Sequence, residues 1–243
     1  MRGSMKAEFR KLFTVRTTYV WILFAGFLLT IAEFYVAGYR GSELPQISTI
    51  ITNELPQAVA FTSLLFAVNS LLLVTNEYRY NTITYTMTAA KRRMRVYLSK
   101  ALVISIYALL CSALVLVVTP LLIRLGYAAH GASMPEQTIY YQDIIWRSLF
   151  YGWGFSMMAF FIAILVRSQV GAIILLFVAP GTVEGLLGLV LKDKAEYLPF
   201  TSLSNVIQSV DMISHSRAAF IFLGNFAVLS AISIYLFLKR DAN

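Results

Sequence analysis

Long uncharged, strongly apolar runs alternate with short charged segments along the whole chain. Between charges the runs cover residues 17–39 (broken only by Glu33), 55–76, 101–123, 148–166, 168–191 (broken only by Glu184) and 218–238. Each has the length needed to cross a hydrocarbon core of about 30 Å, since a helix rises about 1.5 Å per residue. Lipid cannot satisfy free backbone N–H and C=O groups, so the spanning element is a helix that closes its own hydrogen bonds. The pattern predicts an all-α membrane protein with six transmembrane helices.

Between the runs, the apolar positions predict further elements. Met5, Phe9, Leu12 and Phe13 recur at helical spacing, with Lys6, Glu8, Arg10 and Lys11 largely on the other face. This predicts an amphipathic interfacial helix over residues 5–18, ahead of a transmembrane domain over 19–243 that the chain enters near Tyr19. A straight extension of the first span is the alternative. Met1-Arg2-Gly3-Ser4, ahead of a second methionine at Met5, reads as an appended leader. The first run exceeds the roughly 7–15 apolar residues of a signal-peptide core and no small-x-small cleavage site follows it, so it is read as a span.

The segment 76–100 is too apolar for a solvated connector. Ile83, Met87, Ala90 and Met94 are spaced so that a helix presents one apolar stripe, suited to a protein groove or the membrane surface. The basic cluster Lys91 to Arg95 alone indicates no more than lipid headgroup contact. Over 192–217 the run Tyr197-Leu198-Pro199-Phe200 leads into Leu203, Val206, Ile207 and Val210, which predicts one or two short outer helices. Arg167-Ser168-Gln169 reads as a tight turn between closely packed spans. Pro180-Gly181 predicts a kink in span five, and Gly181 with Gly185 forms a small-xxx-small face suited to close helix contact.

Charge assigns the sides. Fourteen of the 20 Lys and Arg residues fall on the side of the N-terminus, the 76–100 loop, Arg167 and the C-terminus. Basic residues near short loops stay in the cytoplasm, so both termini are expected there. The formal charge of +8 is thereby accounted for without nucleic acid. With 58% hydrophobic and 13% charged residues, against about 45–50% and 25% in soluble domains, an ordinary soluble enzyme is excluded. The lone cysteine, Cys111, sits in an apolar run and builds no intrachain disulfide.

Glu33 and Glu184 carry the chemistry inside the spans, because a charge in hydrocarbon costs roughly 2.5–3.5 kcal/mol by insertion scales unless it faces protein or water. Each lies about 21 Å along its helix from the inner edge, which puts both in one outer layer. They either line a cavity or gate or snorkel to the outer interface. Asn69, Ser70, Ser156 and Asn225 are interior polar groups that contact substrate or bond between helices. His130 and His215 form no zinc motif. There is no nucleophile elbow, no metal-binding pattern and no Gly-x-x-x-x-Gly-Lys-Ser/Thr loop, so any ATP dependence has to come from a partner.

Four features together resemble a known family: the amphipathic segment Lys6-Ala7-Glu8-Phe9-Arg10-Lys11-Leu12, six spans with both ends inside, a first cytoplasmic loop opening with Glu77-Tyr78-Arg79-Tyr80-Asn81-Thr82-Ile83, and Tyr197-Leu198-Pro199-Phe200 between the last two spans. These are similar to the integral membrane subunits of ABC transporters of the second, exporter-like type. Asn81 stands where that family often has glycine, and asparagine tolerates the same left-handed backbone. The resemblance implies a permease of a bacterial-type cytoplasmic membrane that itself binds no cofactor. It would pair with a second permease, a homodimer being expected, and dock on two copies of a separate ATPase that holds ATP and Mg. Glu77, Tyr78 and Arg79 would anchor the loop, and Ile83, Thr86, Met87 and Ala90 would meet the ATPase. Glu33, Asn69, Glu184 and Asn225 are the candidates for cavity or gate. Export of an amphipathic peptide, drug or lipid-like compound is expected. Proton-coupled secondary transport through the intramembrane carboxylates is the alternative.

Overall fold

A computed structural model describes residues 2–40, 47–89, 93–131, 141–208 and 214–239, and no strand occurs among them. Helix α1 (Arg2–Thr14) ends at Val15, whose extended backbone (φ −80°, ψ 115°) breaks it from α2 (Arg16–Leu29). The expected corner thus falls four residues before Tyr19. A π-helical stretch, Thr30–Arg40, prolongs α2. Then follow α3 (Ile47–Arg79), α4 (Ile83–Ala89), α5 (Arg93–Ala129), α6 (Tyr141–Val166), α7 (Gln169–Val178), α8 (Glu184–Leu191), α9 (Pro199–Ile207) and α10 (His215–Lys239). Met94 therefore belongs to α5 and not to the loop helix.

Among the described residues, six helical segments are long and apolar enough to cross a membrane: Arg16–Tyr39, Asn53–Arg79, Arg93–Ala129, Gln142–Val166, Gln169–Leu191 and His215–Lys239. They coincide with the six runs read from hydropathy. Burial grades them. In α3 and α6 more than 70% of the most apolar stretch is buried, in α5 39%, and in α2, α7–α8 and α10 11–17%, so α3 and α6 form the centre, α5 is intermediate and the other three form the periphery. The exposed side chains of the periphery, such as Leu23, Phe27, Leu189, Val190 and Phe220, are the kind that hydrocarbon solvates.

Hydrophobicity cannot hold such helices together in lipid, where tails are as apolar as leucine, so small residues that admit close approach take over. Gly152, Ser156, Ala159 and Ala163 make a buried small-residue stripe along α6. A Cβ on Gly152 would strike the Ser112 hydroxyl of α5 and come within 3.2 Å of Ser63 Oγ on α3. Where the π-helical stretch crosses α5, a Cβ on Gly126 would strike the Phe34 carbonyl oxygen, and one on Gly38 would lie 2.6 Å from the Ile123 carbonyl oxygen. Gly181 and Gly185, by contrast, have open space where a Cβ would go. Among the described residues nothing makes the close contact expected of that pair, because the peripheral helix turns their face outward. Where the kink is expected, the helix runs through a π-helical turn over Ala179–Val183.

The tight turn between α6 and α7 forms as the sequence indicates. Arg167 takes a left-handed backbone (φ 57°), and the Ser168 hydroxyl caps α7 by accepting from the Gly171 N–H at 3.4 Å. The segment after α8 folds into a 3-10 turn, Lys192–Tyr197, and α9, matching the predicted short helices.

Candidate functional site

At one end of the bundle, α4 hangs between the ends of α3 and α5. Helix α3 stops in a left-handed cap: Asn81 has φ 53°, the Thr82 N–H donates to the Glu77 carbonyl at 2.9 Å, and the Asn81 N–H donates to the Tyr78 carbonyl at 3.3 Å. This closure satisfies carbonyls that the helix end would otherwise orphan. Asparagine at position 81 thus does what a glycine would do there.

The three residues before that cap tie it to other elements. Glu77 Oε1 accepts from Lys100 Nζ of α5 at 2.5 Å and from Lys11 Nζ of α1 at 2.7 Å. Glu8 completes an alternating ring, bonding Lys11 at 2.9 Å and Lys100 at 3.2 Å. The Lys100 side chain is 2% exposed and Glu77 7%, so the ring of two cations and two carboxylates is shielded from solvent except at Lys11. Burial opposes the charge on Lys11, but the Glu77 and Glu8 carboxylates outweigh it and hold its pKa above the ordinary value. Tyr78 lies under the Arg167 guanidinium, 5.3 Å from ring centroid to Cζ. Arg79 Nη1 donates to Gln169 Oε1 at 3.0 Å. The Glu77-Tyr78-Arg79 triplet therefore ties the base of the loop to α1 and α5 on one side and to the α6–α7 turn on the other.

Sequence reading singled out Glu77, Tyr78 and Arg79 but missed the pairing of Glu8, Lys11 and Lys100: the first two were read as the polar face of an amphipathic helix and Lys100 as one of the basic residues that set topology. A signal was available: Glu8 and Lys11 are an i, i+3 pair, and Glu77 and Lys100 bracket one loop with opposite signs.

On α4 itself, Ile83 is 1% exposed and belongs to the core. This corrects its place in a partner-facing stripe: a helix this short seats its first apolar residue on its own chain. Tyr85 is 76% exposed and Tyr80 65%. Thr86 is half-buried, and its hydroxyl donates to the Thr82 carbonyl at 3.2 Å; Thr84 and Thr88 likewise bond to backbone carbonyls of the preceding turn. The exposed side of α4 thus carries the Tyr85 ring, while the threonine hydroxyls of the helix are bonded to backbone carbonyls. Ala90 and the Met87 side chain lie outside the described residues.

The cavity candidates separate. Glu184 is buried, and its carboxylate accepts from the Phe200 N–H at 2.8 Å, the Thr201 N–H at 2.6 Å and the Thr201 hydroxyl at 2.8 Å. It caps the N-terminus of α9, where free N–H groups and the helix dipole both favour an anion. Neither snorkelling nor a cavity describes that arrangement. Asn225 Nδ2 donates to the Tyr197 carbonyl at 2.8 Å, bracing the same segment from α10. Glu33 is 3% exposed and its Oε2 has no hydrogen-bond partner among the described residues; its electrostatic neighbour is Glu54 of α3. Asn69 is fully buried beside the Tyr107 hydroxyl. Among the described residues, Glu33 and Glu184 share no hydrogen-bond partner that would join them in one cavity or gate.

Arg147, His215 and Asn205 bind α6, α10 and α9 together at the same end as Glu184. Arg147 Nη1 lies 2.8 Å from His215 Nε2, and His215 Nδ1 lies 3.3 Å from the Asn205 carbonyl oxygen. An arginine can only donate, so Nε2 accepts and the proton sits on Nδ1.

Six apolar helices of spanning length around a close-packed helical centre define an all-helical, multi-pass membrane protein. No protein-family model matches the chain, and no curated protein matches it.

Proposed function

We propose that the chain is the membrane-spanning permease subunit of an ATP-driven exporter of the ABC type. One observation carries the reading: α4 presents the exposed Tyr85 ring while its base is tied by Glu77, Tyr78 and Arg79 to α1, α5 and the α6–α7 turn. A partner that pushes on Tyr85 moves those elements together. Rigid connections of this kind are what turns a local displacement into a change between two global arrangements.

In this reading the loop end faces the cytoplasm, as the distribution of basic residues favours. Two copies of a separate ATPase bind ATP and Mg there and supply all the phosphate chemistry. This chain supplies the path and the transmission, with no catalytic residue of its own. A second permease, a copy of this chain, completes the pore. The Glu184 cap and the Asn225 brace hold the opposite end, so access changes on a stiff outer frame. The cargo class is an amphipathic peptide, drug or lipid-like molecule.

Gentle solubilisation from native membranes, capture of this chain and mass spectrometry of what copurifies tests the reading. A stoichiometric ATPase supports it; this chain alone, even after crosslinking before detergent, overturns it. Proton-coupled transport remains the second reading, supported now by Glu33 alone. Glu33 is buried, and its Oε2 has no hydrogen-bond partner among the described residues, as a proton-carrying group in that mechanism would be. ATP-independent uptake that loses its pH dependence in Glu33→Gln would favour it.

A further inference from the structure

Under α1, in the corner it makes with α2 and against the flank of α5, lies an apolar groove of about 190 Å³. Leu12 of α1, Ile22 of α2, Phe66 of α3 and Leu110 of α5 are among its walls. Its outer lip, Phe13 at 63% exposed and Leu110 at 65%, faces the bundle's surroundings. Tyr19 closes one side, its hydroxyl donating to the Phe13 carbonyl at 2.7 Å. An apolar groove in a membrane protein does not stay empty, because its lining would forfeit dispersion contacts on one side.

Two observations say what fills it. Thr18 lines the groove, is 2% exposed, and its hydroxyl has no hydrogen-bond partner among the described residues. A buried hydroxyl without a partner costs roughly what a lost hydrogen bond does, so an acceptor is wanted there. On the two helices that form the corner, Lys6 and Arg10 of α1 and Arg16 at the start of α2 are exposed, and none is in an ion pair among the described residues. Glu8, the carboxylate that would otherwise neutralise this rim, is withdrawn into the ring with Lys11 and Lys100.

We propose that this groove is a binding site for one anionic glycerophospholipid, with an acyl chain between α1 and α5, an ester carbonyl accepting from Thr18, and the phosphate against Lys6, Arg10 and Arg16. Each part of that ligand meets a complementary part of the site. The lipid wedges under the helix that carries Glu8 and Lys11, so its occupancy bears on the ring that anchors the loop. The proposal rests on the membrane location alone and stands or falls independently of any transport partner.

The test uses the full chain in phosphatidylcholine nanodiscs carrying a trace of a phospholipid with a photoreactive acyl chain. The probe has either a phosphatidylglycerol or a phosphatidylcholine headgroup, and labelled peptides are mapped by mass spectrometry. The expected result is preferential labelling of residues 9–22 and 106–114 by the glycerol probe, with the exposed face of α10 at Phe220 and Val228 labelled equally by both. Changing Arg10→Gln and Arg16→Gln should each reduce the headgroup preference, by about fivefold per basic residue. Thr18→Val, which keeps the shape, should lower groove labelling and leave α10 unchanged. Equal groove labelling by the two probes in the unaltered chain, or groove labelling no greater than that of α10, overturns the proposal without recourse to any variant.

Discussion

The Glu77 carboxylate on α3 and the Lys100 ammonium on α5 meet at 2.5 Å, both buried, across the loop that joins their helices. Two desolvated charges repay the cost of burial only when each keeps its partner, and removing one member of such a pair typically costs about 3–5 kcal/mol. Here Glu8 and Lys11 belong to the same ring, so the four groups form one unit.

Lys100→Met should therefore destabilise the chain by about 3–5 kcal/mol, because it leaves Glu77 and Glu8 facing Lys11 alone. Glu77→Met combined with Lys100→Met removes one charge of each sign and should cost less than the two single changes added together. Unfolding in detergent of the four proteins of this cycle checks it. Additive losses would mean that the two groups act separately.

The cap on α9 makes a second prediction. Glu184→Ala strips three donors of their acceptor and should cost about 1–3 kcal/mol. Glu184→Gln keeps one oxygen but turns an amide NH₂ toward an N–H donor, so it too should loosen the segment. Hydrogen exchange over residues 192–207 should rise in both variants while α4 is unaffected. Unchanged exchange would deny the carboxylate its structural role.

What could be read from the chain beforehand follows from the range of the interactions. Hydropathy is local, so the six spans, the short outer helices and the α6–α7 turn at Arg167-Ser168 were all legible. Asn81 was legible too, because backbone handedness at one residue is a one-residue property. Partners distant in sequence were not. Nothing near Glu184 announces that residues 200 and 201 will present their N–H groups to it, and Lys100 gives no sign that Glu8, 92 residues earlier, will reach it. Periodicity identified the apolar side of α4, but the same stripe suits a partner's groove and the chain's own core, and Ile83 took the core.

The glycines allow the packing to be tested directly. At Gly126 a Cβ would meet backbone atoms of the π-helical stretch, the Phe34 carbonyl oxygen and, at 2.7 Å, the Tyr39 nitrogen, and no rotamer change can move those aside. Gly126→Ala should cost about 1–3 kcal/mol through overpacking. Gly185→Ala meets open space and should be neutral or stabilising by about 0.5–1 kcal/mol through helix propensity. Thermal unfolding of the two variants side by side separates these outcomes. A loss at Gly185 as large as at Gly126 would mean that a second chain covers that face.

Ile83 and Tyr85 sit two residues apart on α4 and face opposite ways, which lets stability and transmission be separated. Ile83→Ala removes a side chain from the core and should cost about 2–5 kcal/mol, with any loss of partner binding following from that damage. Tyr85→Ala removes an exposed ring and should leave unfolding unchanged. If α4 is the contact with an ATPase, the same change should weaken that association by about tenfold or more, since exposed aromatic anchors carry a large share of interface energy. The two variants are compared by unfolding in detergent and by the amount of ATPase captured with each. Full capture by Tyr85→Ala would remove the Tyr85 ring from the interface.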